Sequence, residues 1–172
     1  LLLNSTGTHN VAVGTNSFNA NTTGGYNTGI GGFALQDNTT ASFNTGVGYG
    51  ALSANTTGTD NTSVGANSLD ANTTGANNTA MGRHALGANT TGSHNVAVGK
   101  DALDANTEGS NNVAIGRFAL TSNTTAGSNI AVGDSTLSQN LTGAENVAVG
   151  GNALTLNTTG GGNIGIGLDM NE

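Results

Sequence analysis

All three basic residues of the chain recur at one spacing, and their side chains suit the binding of anionic groups. Arg83, Lys100 and Arg117 follow one another at a constant interval along the chain, so a structure with this period would align them in a column. Such a column predicts a surface that binds acidic glycans or lipopolysaccharide phosphate. The alternative is a solvated face on which Asp101 and Asp104 offset the repulsion between the cations.

Four aromatic residues near the start of the chain have the chemistry to stack on sugar rings. Tyr26 and Phe43 are separated by the same interval as the basic residues, whereas Phe33 and Tyr49 occupy neighbouring positions of successive repeats. Exposed rings offer flat apolar surfaces to glycans, but they could equally cover the edge of a repeat or contact a neighbouring chain. The candidate glycan-binding residues are Arg83, Lys100, Arg117, Tyr26, Phe33, Phe43 and Tyr49.

Histidine and carboxylate residues do not form a pattern typical of a catalytic or metal centre. His84 and Asp101 are one repeat apart and would be neighbours in a column, but one His and one carboxylate make a poor metal site. Asp101 and Asp104 have the chemistry of a glycosidase pair, yet no feature predicts a cleft around them. The chain has no Cys, which excludes a thiolate ligand or nucleophile. We therefore expect no metal, no cofactor and no enzymatic activity.

A seventeen-residue repeat positions these side chains. Asn10 opens a column of asparagines, Gly14 a column of glycines, and Asn4 a second column of asparagines, each without exception along the chain. Self-similarity of this kind indicates a solenoid or fibre built from one small stacked unit. Residues 1–168 are expected to form a single repeat array, and residues 169–172 to end it and begin a cap or another domain.

Each repeat predicts one coil of β structure, numbered here from the Asn of the first column as position one. Positions two to four alternate large, small and large residues, as in Val96-Ala97-Val98, which predicts a short strand. Position four and the leucine at position nine are expected to form the interior, with a second short strand around that leucine. The Gly at position five is expected at a bend that needs an unusual φ, and Asn-Thr-Thr-Gly at positions twelve to fifteen predicts a turn. The residues given structural roles are Asn10, Gly14, Leu35, Asn38, Asn95, Gly99, Leu103 and Asn106.

The fold class predicted from these units is all-β, a parallel β-solenoid or β-roll of about ten coils. Coils stacked at about 4.8 Å make a rod about 48 Å long, in which the asparagine side chains hydrogen-bond along their columns. Each coil buries only two or three large aliphatic side chains, which falls short of the entropy cost of ordering every residue of the coil. We expect the small residue at position three to leave a flat face that meets other chains, most simply in a homotrimer.

The composition excludes several classes of partner. Lys and Arg number 3 against 10 Asp and Glu, for a net charge of −7, which argues against nucleic-acid binding. No apolar run approaches the length of a membrane span, so membrane insertion is not expected. Only 8% of residues are charged and the aliphatic residues recur in register, which argues against disorder.

The run Asn-Val-Ala-Val-Gly, followed by Ala-Leu and Asn-Thr-Thr-Gly, resembles the repeats of two related groups. One is the left-handed parallel β-roll of trimeric autotransporter adhesin heads, whose core motif is similar to Val113-Ala114-Ile115-Gly116. The other is the repeat region of phage tail fibres and related surface fibres. The adhesin repeat is usually shorter and lacks a regular Asn-Thr-Thr-Gly insert, so the fibre group is the better match. The resemblance implies a homotrimeric, extracellular fibre of a virion or a cell surface that extends and adheres.

Two other functions are compatible with a solenoid. Thr22 and Thr23 open two adjacent threonine columns that could order water, which would make the rod an ice-binding protein. Adjacent residues of an extended segment point in opposite directions, however, so the two columns would not share one face. The less favoured alternative is a polysaccharide depolymerase.

Overall fold

The structure is a computed structural model that describes residues 3–169, and its strands form one parallel sheet of ten. Each strand is three residues long and pairs in register with the next strand along the chain, so that Val11 lies opposite Thr28 and Thr28 opposite Thr45. This confirms the prediction of an all-β parallel solenoid with a seventeen-residue period. No helix long and apolar enough to cross a membrane occurs within residues 3–169. The strands are β1 (Val11–Val13), β2 (Thr28–Ile30), β3 (Thr45–Val47), β4 (Thr62–Val64), β5 (Thr79–Met81), β6 (Val96–Val98), β7 (Val113–Ile115), β8 (Ile130–Val132), β9 (Val147–Val149) and β10 (Ile164–Ile166).

Two ladders of asparagine side chains join the coils, each of which is numbered by its strand. At position twelve, Nδ2 of Asn38 donates to Oδ1 of Asn21 in the preceding coil and to the carbonyl of Ala41 in its own turn, each at 3.1 Å. At position one, Oδ1 of Asn27 accepts the backbone N–H of Asn44 at 2.9 Å, and its Nδ2 donates to the Ala41 carbonyl. Within residues 3–169 every buried side-chain nitrogen and oxygen has a hydrogen-bonding partner. The asparagine hydrogen bonds thus help to hold the coils together, because the apolar core of a coil of this size is small.

The interior differs from the expectation. The small residue at position three, such as Ala97, points inward and is fully buried with the leucine of position nine, such as Leu103. Position four, predicted to be interior, points outward, as at Ile115. The flat face of small residues expected to meet other chains is therefore inside the coil. Space explains the reversal, because a Cβ placed on Gly46 would already lie 3.4 Å from Cγ of Leu35.

The second strand expected around the leucine is also absent from the described coils. That segment forms consecutive turns, and the backbone is left-handed at positions seven and nine, with φ of 61° at Phe33 and 52° at Leu35. A left-handed leucine is strained, and strain of this kind persists only where its surroundings enforce it. Here the turn aims the leucine side chain into the coil, where it is 0% exposed.

The glycine of position five lies at the predicted bend directly after each strand. Its φ is strongly positive, for example 138° at Gly99, and a Cβ on Gly99 would lie 2.5 Å from the carbonyl oxygen of Gly116 in the next coil. Both the backbone conformation and the close stacking of the coils therefore require glycine there.

Candidate functional site

The outward face of the sheet is an uncharged and largely apolar surface, which we call the outer face and define as positions two and four of the ten coils. Strand geometry places these two positions on the same side, opposite the buried position three. Every residue at position four is Val, Ile or Met, and the side chains range in exposure from half-buried to 67% at Ile166. No charged residue occurs at either position. The outer face therefore has the composition of a contact surface.

Position two of the outer face carries two kinds of residue. Coils 2 to 5 carry threonine, and the other six coils carry Val or Ile. The four threonine side chains are partly exposed, and their hydroxyls form no hydrogen bond within residues 3–169. Thr39 at position thirteen behaves differently, because its hydroxyl donates to the carbonyl of Thr56 at 3.0 Å. The four threonines, which we call the threonine block, are Thr28, Thr45, Thr62 and Thr79.

The basic column lies beside the outer face, at position six directly after the corner glycine. Arg117 forms a two-point ion pair with Asp134 of the next coil, with Nε 2.8 Å from Oδ1 and Nη2 3.2 Å from Oδ2. Asp134 raises the pKa of Arg117 through this hydrogen bond, and Arg117 lowers the pKa of Asp134. Nζ of Lys100 lies 3.1 Å from Oδ2 of Asp101. Arg83 is exposed and forms no ion pair within the described chain, so it is the cation most available to an anionic ligand.

The Phe118 ring supports two of these cations. Nζ of Lys100 lies 5.2 Å from the ring centroid and Cζ of Arg117 lies 5.1 Å from it, within the range of cation–π contacts. Phe118 was not among the candidate residues, although its place next to position six could have suggested the contact. The ring and the carboxylates together hold Lys100 and Arg117 along the rod surface.

The early aromatic residues form a stacked column at position seventeen, on the other side of the outer face. The centroids of His9 and Tyr26 are 4.6 Å apart with an interplanar angle of 3°, and those of Tyr26 and Phe43 are 5.2 Å apart with an angle of 8°. Tyr26 therefore has a ring against each of its faces, and a sugar could reach chiefly its edge. Phe33 and Tyr49 meet edge to face at 5.5 Å. The structure thus brings the aromatic candidates into two groups, both more than one coil away from Arg83.

The carboxylates of Asp70 and Asp104 approach each other at Gly87, where the column has no side chain. Gly87 has no side chain, and a Cβ at its position would lie 2.7 Å from Oδ1 of Asp104 and 3.6 Å from Oδ1 of Asp70. Burial raises the pKa of both carboxyl groups, and the charge of nearby His84 opposes the shift. No group of three or more His, Asp or Glu side chains suited to a metal ion occurs within the part of the chain that the structure describes.

The two threonine columns considered for ice binding lie in the Asn-Thr-Thr-Gly turn. Hydroxyls of the column that begins at Thr22 donate to backbone carbonyls of the next coil, at 3.0 Å from Thr22 to Thr39. The column that begins at Thr23 is exposed to solvent. The two columns therefore differ in their surroundings, and one of them supplies coil-to-coil hydrogen bonds.

The outer face is the surface that sequence reasoning misplaced, and one signal could have identified it. Position two accepts both Thr and Val, which is typical of a half-exposed site, whereas position three accepts only Gly, Ala or Ser.

A comparison of the chain with protein-family models, with curated proteins and with solved structures found no match.

Proposed function

We propose that this chain is a structural and adhesive segment of a homotrimeric extracellular fibre, either a virion tail fibre or a bacterial surface adhesin. The observation that supports the proposal most directly is the apolar outer face, which runs along all ten coils of the rod. As a fibre segment, the chain extends from a surface and presents binding groups along its sides, without catalytic activity.

A second copy of the chain is the partner that the outer face fits best. The face has no charge, so a like face complements it, whereas a charged partner would not. Positions one to five cover about 16 Å and nine coil spacings cover about 43 Å, which together give roughly 700 Å². In a trimer each chain divides this area between two neighbours, so its total burial, summed over both contacts, is close to the ~800 Å² that one partner contributes to a standard pairwise interface. Burial of these aliphatic side chains also adds apolar contact that a single coil lacks.

Light scattering coupled to size-exclusion chromatography tests the assembly. The wild-type chain is expected to have three times the mass of one chain. Ile115→Glu places a charge on the outer face and is expected to reduce the mass to that of a monomer, because an unpaired buried charge opposes association. Thr125→Glu is the matched control in the same coil, since Glu108 occupies the equivalent exposed position of the preceding coil. A monomeric wild-type chain that is fully folded would refute the proposal.

We propose surface glycans as ligands of the assembled fibre, bound beside Arg83 and at the exposed edges of Tyr26, Phe43 and Tyr49. These three aromatic side chains are 55% to 60% exposed. Binding of lipopolysaccharide is expected to weaken several-fold for Arg83→Ala and much less for Lys100→Ala, because Lys100 already contacts Asp101. Equal losses for the two variants would point to a diffuse charge effect instead of a site at Arg83.

Ice binding is the second candidate, and the threonine block favours it. In coils 2 to 5 the outer face presents threonine and an aliphatic residue on one strand, such as Thr45 and Val47, with the same spacing in each coil. This arrangement suits ice binding better than the turn threonines do, because both side chains point to the same side. The two functions need the same face, so thermal hysteresis from a monomeric chain would favour ice binding over the fibre.

A further inference from the structure

A rod of near-identical coils has a problem of register when it associates with itself. Position four carries an aliphatic residue in every coil, so a shift of one coil replaces each apolar contact with a similar one. The corner glycines and the asparagine columns are also the same in every coil. A closed cyclic trimer requires all copies at one height, whereas staggered copies propagate into open filaments. A trimer of this chain therefore needs a feature that differs between coils and so determines which coils lie beside one another.

The threonine block provides a difference of this kind on the outer face. It occupies coils 2 to 5, and Val11 precedes it while Val96 follows it. The fold does not require threonine at position two, since Val and Ile occupy the same position in the other six coils. These threonine side chains are partly exposed and their hydroxyls form no hydrogen bond within the described chain, unlike the hydroxyl of Thr73, which donates to the Thr90 carbonyl at 3.0 Å.

We propose that the threonine block fixes the register in which copies of this chain associate, parallel and level, with threonine facing threonine. This inference rests on the proposed self-assembly through the outer face. Association through the outer face removes these hydroxyls from water, and a buried hydroxyl without a partner is destabilising, so the favoured arrangement is the one in which the hydroxyls bond to one another.

Other arrangements leave hydroxyls unpaired. A parallel shift of one coil places Thr28 of one copy opposite Val11 and Thr79 of the other copy opposite Val96. An antiparallel arrangement about the middle of the rod is worse, because coils 2 to 5 then face coils 9 to 6. All four hydroxyls would meet aliphatic side chains, namely Val147, Ile130, Val113 and Val96. The block therefore discriminates against both kinds of misassembly.

The experiment compares the wild-type chain with a variant in which all four threonines of the block become valine. Valine has nearly the same shape and occurs naturally at position two, so the coils are expected to remain folded. The matched control replaces the exposed turn threonines Thr23, Thr40, Thr57 and Thr74 with valine, off the outer face. Since the chain has no Cys, a single spin label can be attached through Thr91→Cys or, in a separate variant, through Thr159→Cys.

Distances between labels on different copies measure the register. For the wild-type chain and the control we expect one narrow distance, equal for labels at Thr91 and Thr159 because the copies are level and parallel. For the four-valine variant we expect several distances, displaced along the rod in steps of about 4.8 Å, with species larger than a trimer. A single narrow distance in the four-valine variant would overturn the register inference and leave the fibre proposal intact. A monomeric wild-type chain without any such distance would overturn both.

Discussion

The side-chain amide of Asn89 donates a hydrogen bond to Oδ1 of Asn72, which lies 2.8 Å away in the preceding coil. Asn72 in turn donates to Oδ1 of Asn55 at 2.8 Å and to the carbonyl of Gly75 at 2.9 Å. All three asparagines are fully buried. Each member of the ladder is thus both donor and acceptor, and its loss affects two neighbouring coils.

Substitutions of successive residues in one turn should lower stability by different amounts, the most at the asparagine of the ladder. Asn72→Ala leaves buried groups of Asn55 and Asn89 unpaired and is expected to lower the free energy of unfolding by about 2–5 kcal/mol. Thr73→Val removes one partly buried hydrogen bond, to the Thr90 carbonyl, at a cost of about 0.5–1.5 kcal/mol. Thr74→Ala is the control, since this exposed side chain should change stability by less than about 0.5 kcal/mol. Urea unfolding gives all three values, and equal losses at Asn72 and Thr74 would argue against the ladder.

Two adjacent glycines provide a matched test of the corner. Gly31 has a φ of 135°, and a Cβ there would lie 2.6 Å from the carbonyl carbon of Gly48, whereas a Cβ on Gly32 would lie no closer than 3.5 Å to any neighbour, the nearest being the Tyr49 ring. Gly31→Ala is expected to lower stability by at least about 1–3 kcal/mol from backbone strain, with the clash in addition. Gly32→Ala should be close to neutral. Thermal unfolding of the two variants compares them directly, and similar melting temperatures would contradict the assignment of the corner.

The period and the columns could be predicted from the sequence because each repeat restates the same local chemistry. Asn-Thr-Thr-Gly turns, the glycine of position five and the strand at positions two to four all lie where the pattern predicts. The side of the strand that faces the interior could not be predicted in this way. Alternation states that Val96 and Val98 share a face, but the space beside Leu103 decides that the small Ala97 is the inner residue.

The candidate site could also be predicted from the sequence only in part. Columns of residues follow from the period, so the proximity of Arg117 to Asp134 is readable from their separation by one full repeat. The period likewise places Tyr26 between His9 and Phe43, but no local pattern indicates the left-handed backbone, with φ of 59° at Tyr26, or the parallel orientation of the stacked rings. Residues other than glycine are uncommon in this conformation, so the direction in which the rings point could not be predicted from the sequence.

Two aspartates should affect stability with opposite dependence on pH. Burial raises the pKa of Asp104, and the charge of Asp101 adds to the shift. The folded chain therefore holds this proton to higher pH than the unfolded chain does. The protonated Asp104 carboxyl therefore contributes its full stabilisation below the unfolded pKa of about 3.9. This contribution to the free energy of unfolding is lost as the pH rises through the folded pKa. Asp104→Asn is thus expected to raise the urea midpoint at pH 7 and to leave it unchanged near pH 2.

Asp134 provides the control of opposite sign. Arg117 lowers its pKa, so the stability from this group is present above the unfolded pKa and is lost as the pH falls through the folded pKa. Asp134→Asn should lower the urea midpoint slightly at pH 7, because both partners are well exposed, and should have no effect near pH 2. A midpoint that changes in the same direction for both variants at pH 7 would contradict the assigned causes.

A pair of serines inside coil 4 tests whether the interior needs polar groups. The hydroxyls of Ser63 and Ser68 contact each other, and they also donate to the carbonyls of Ser68, at 2.8 Å, and Gly65, at 3.0 Å, respectively. The next coil carries Ala80 and Ala85 at these two positions, both fully buried. Alanine therefore fits the same space without a hydroxyl.

Replacing both serines should be nearly neutral because no orphaned polar group remains. The double variant Ser63→Ala, Ser68→Ala is expected to change the free energy of unfolding by less than about 1 kcal/mol. Each single variant leaves one hydroxyl with a backbone acceptor, so each should also cost less than about 1.5 kcal/mol. A double-mutant cycle from urea unfolding measures the coupling between the two serines. If the double variant lost more than about 1 kcal/mol of unfolding free energy, coil 4 would depend on the serine pair. A near-neutral result would indicate that the asparagine ladders supply the polar contacts that the coil requires.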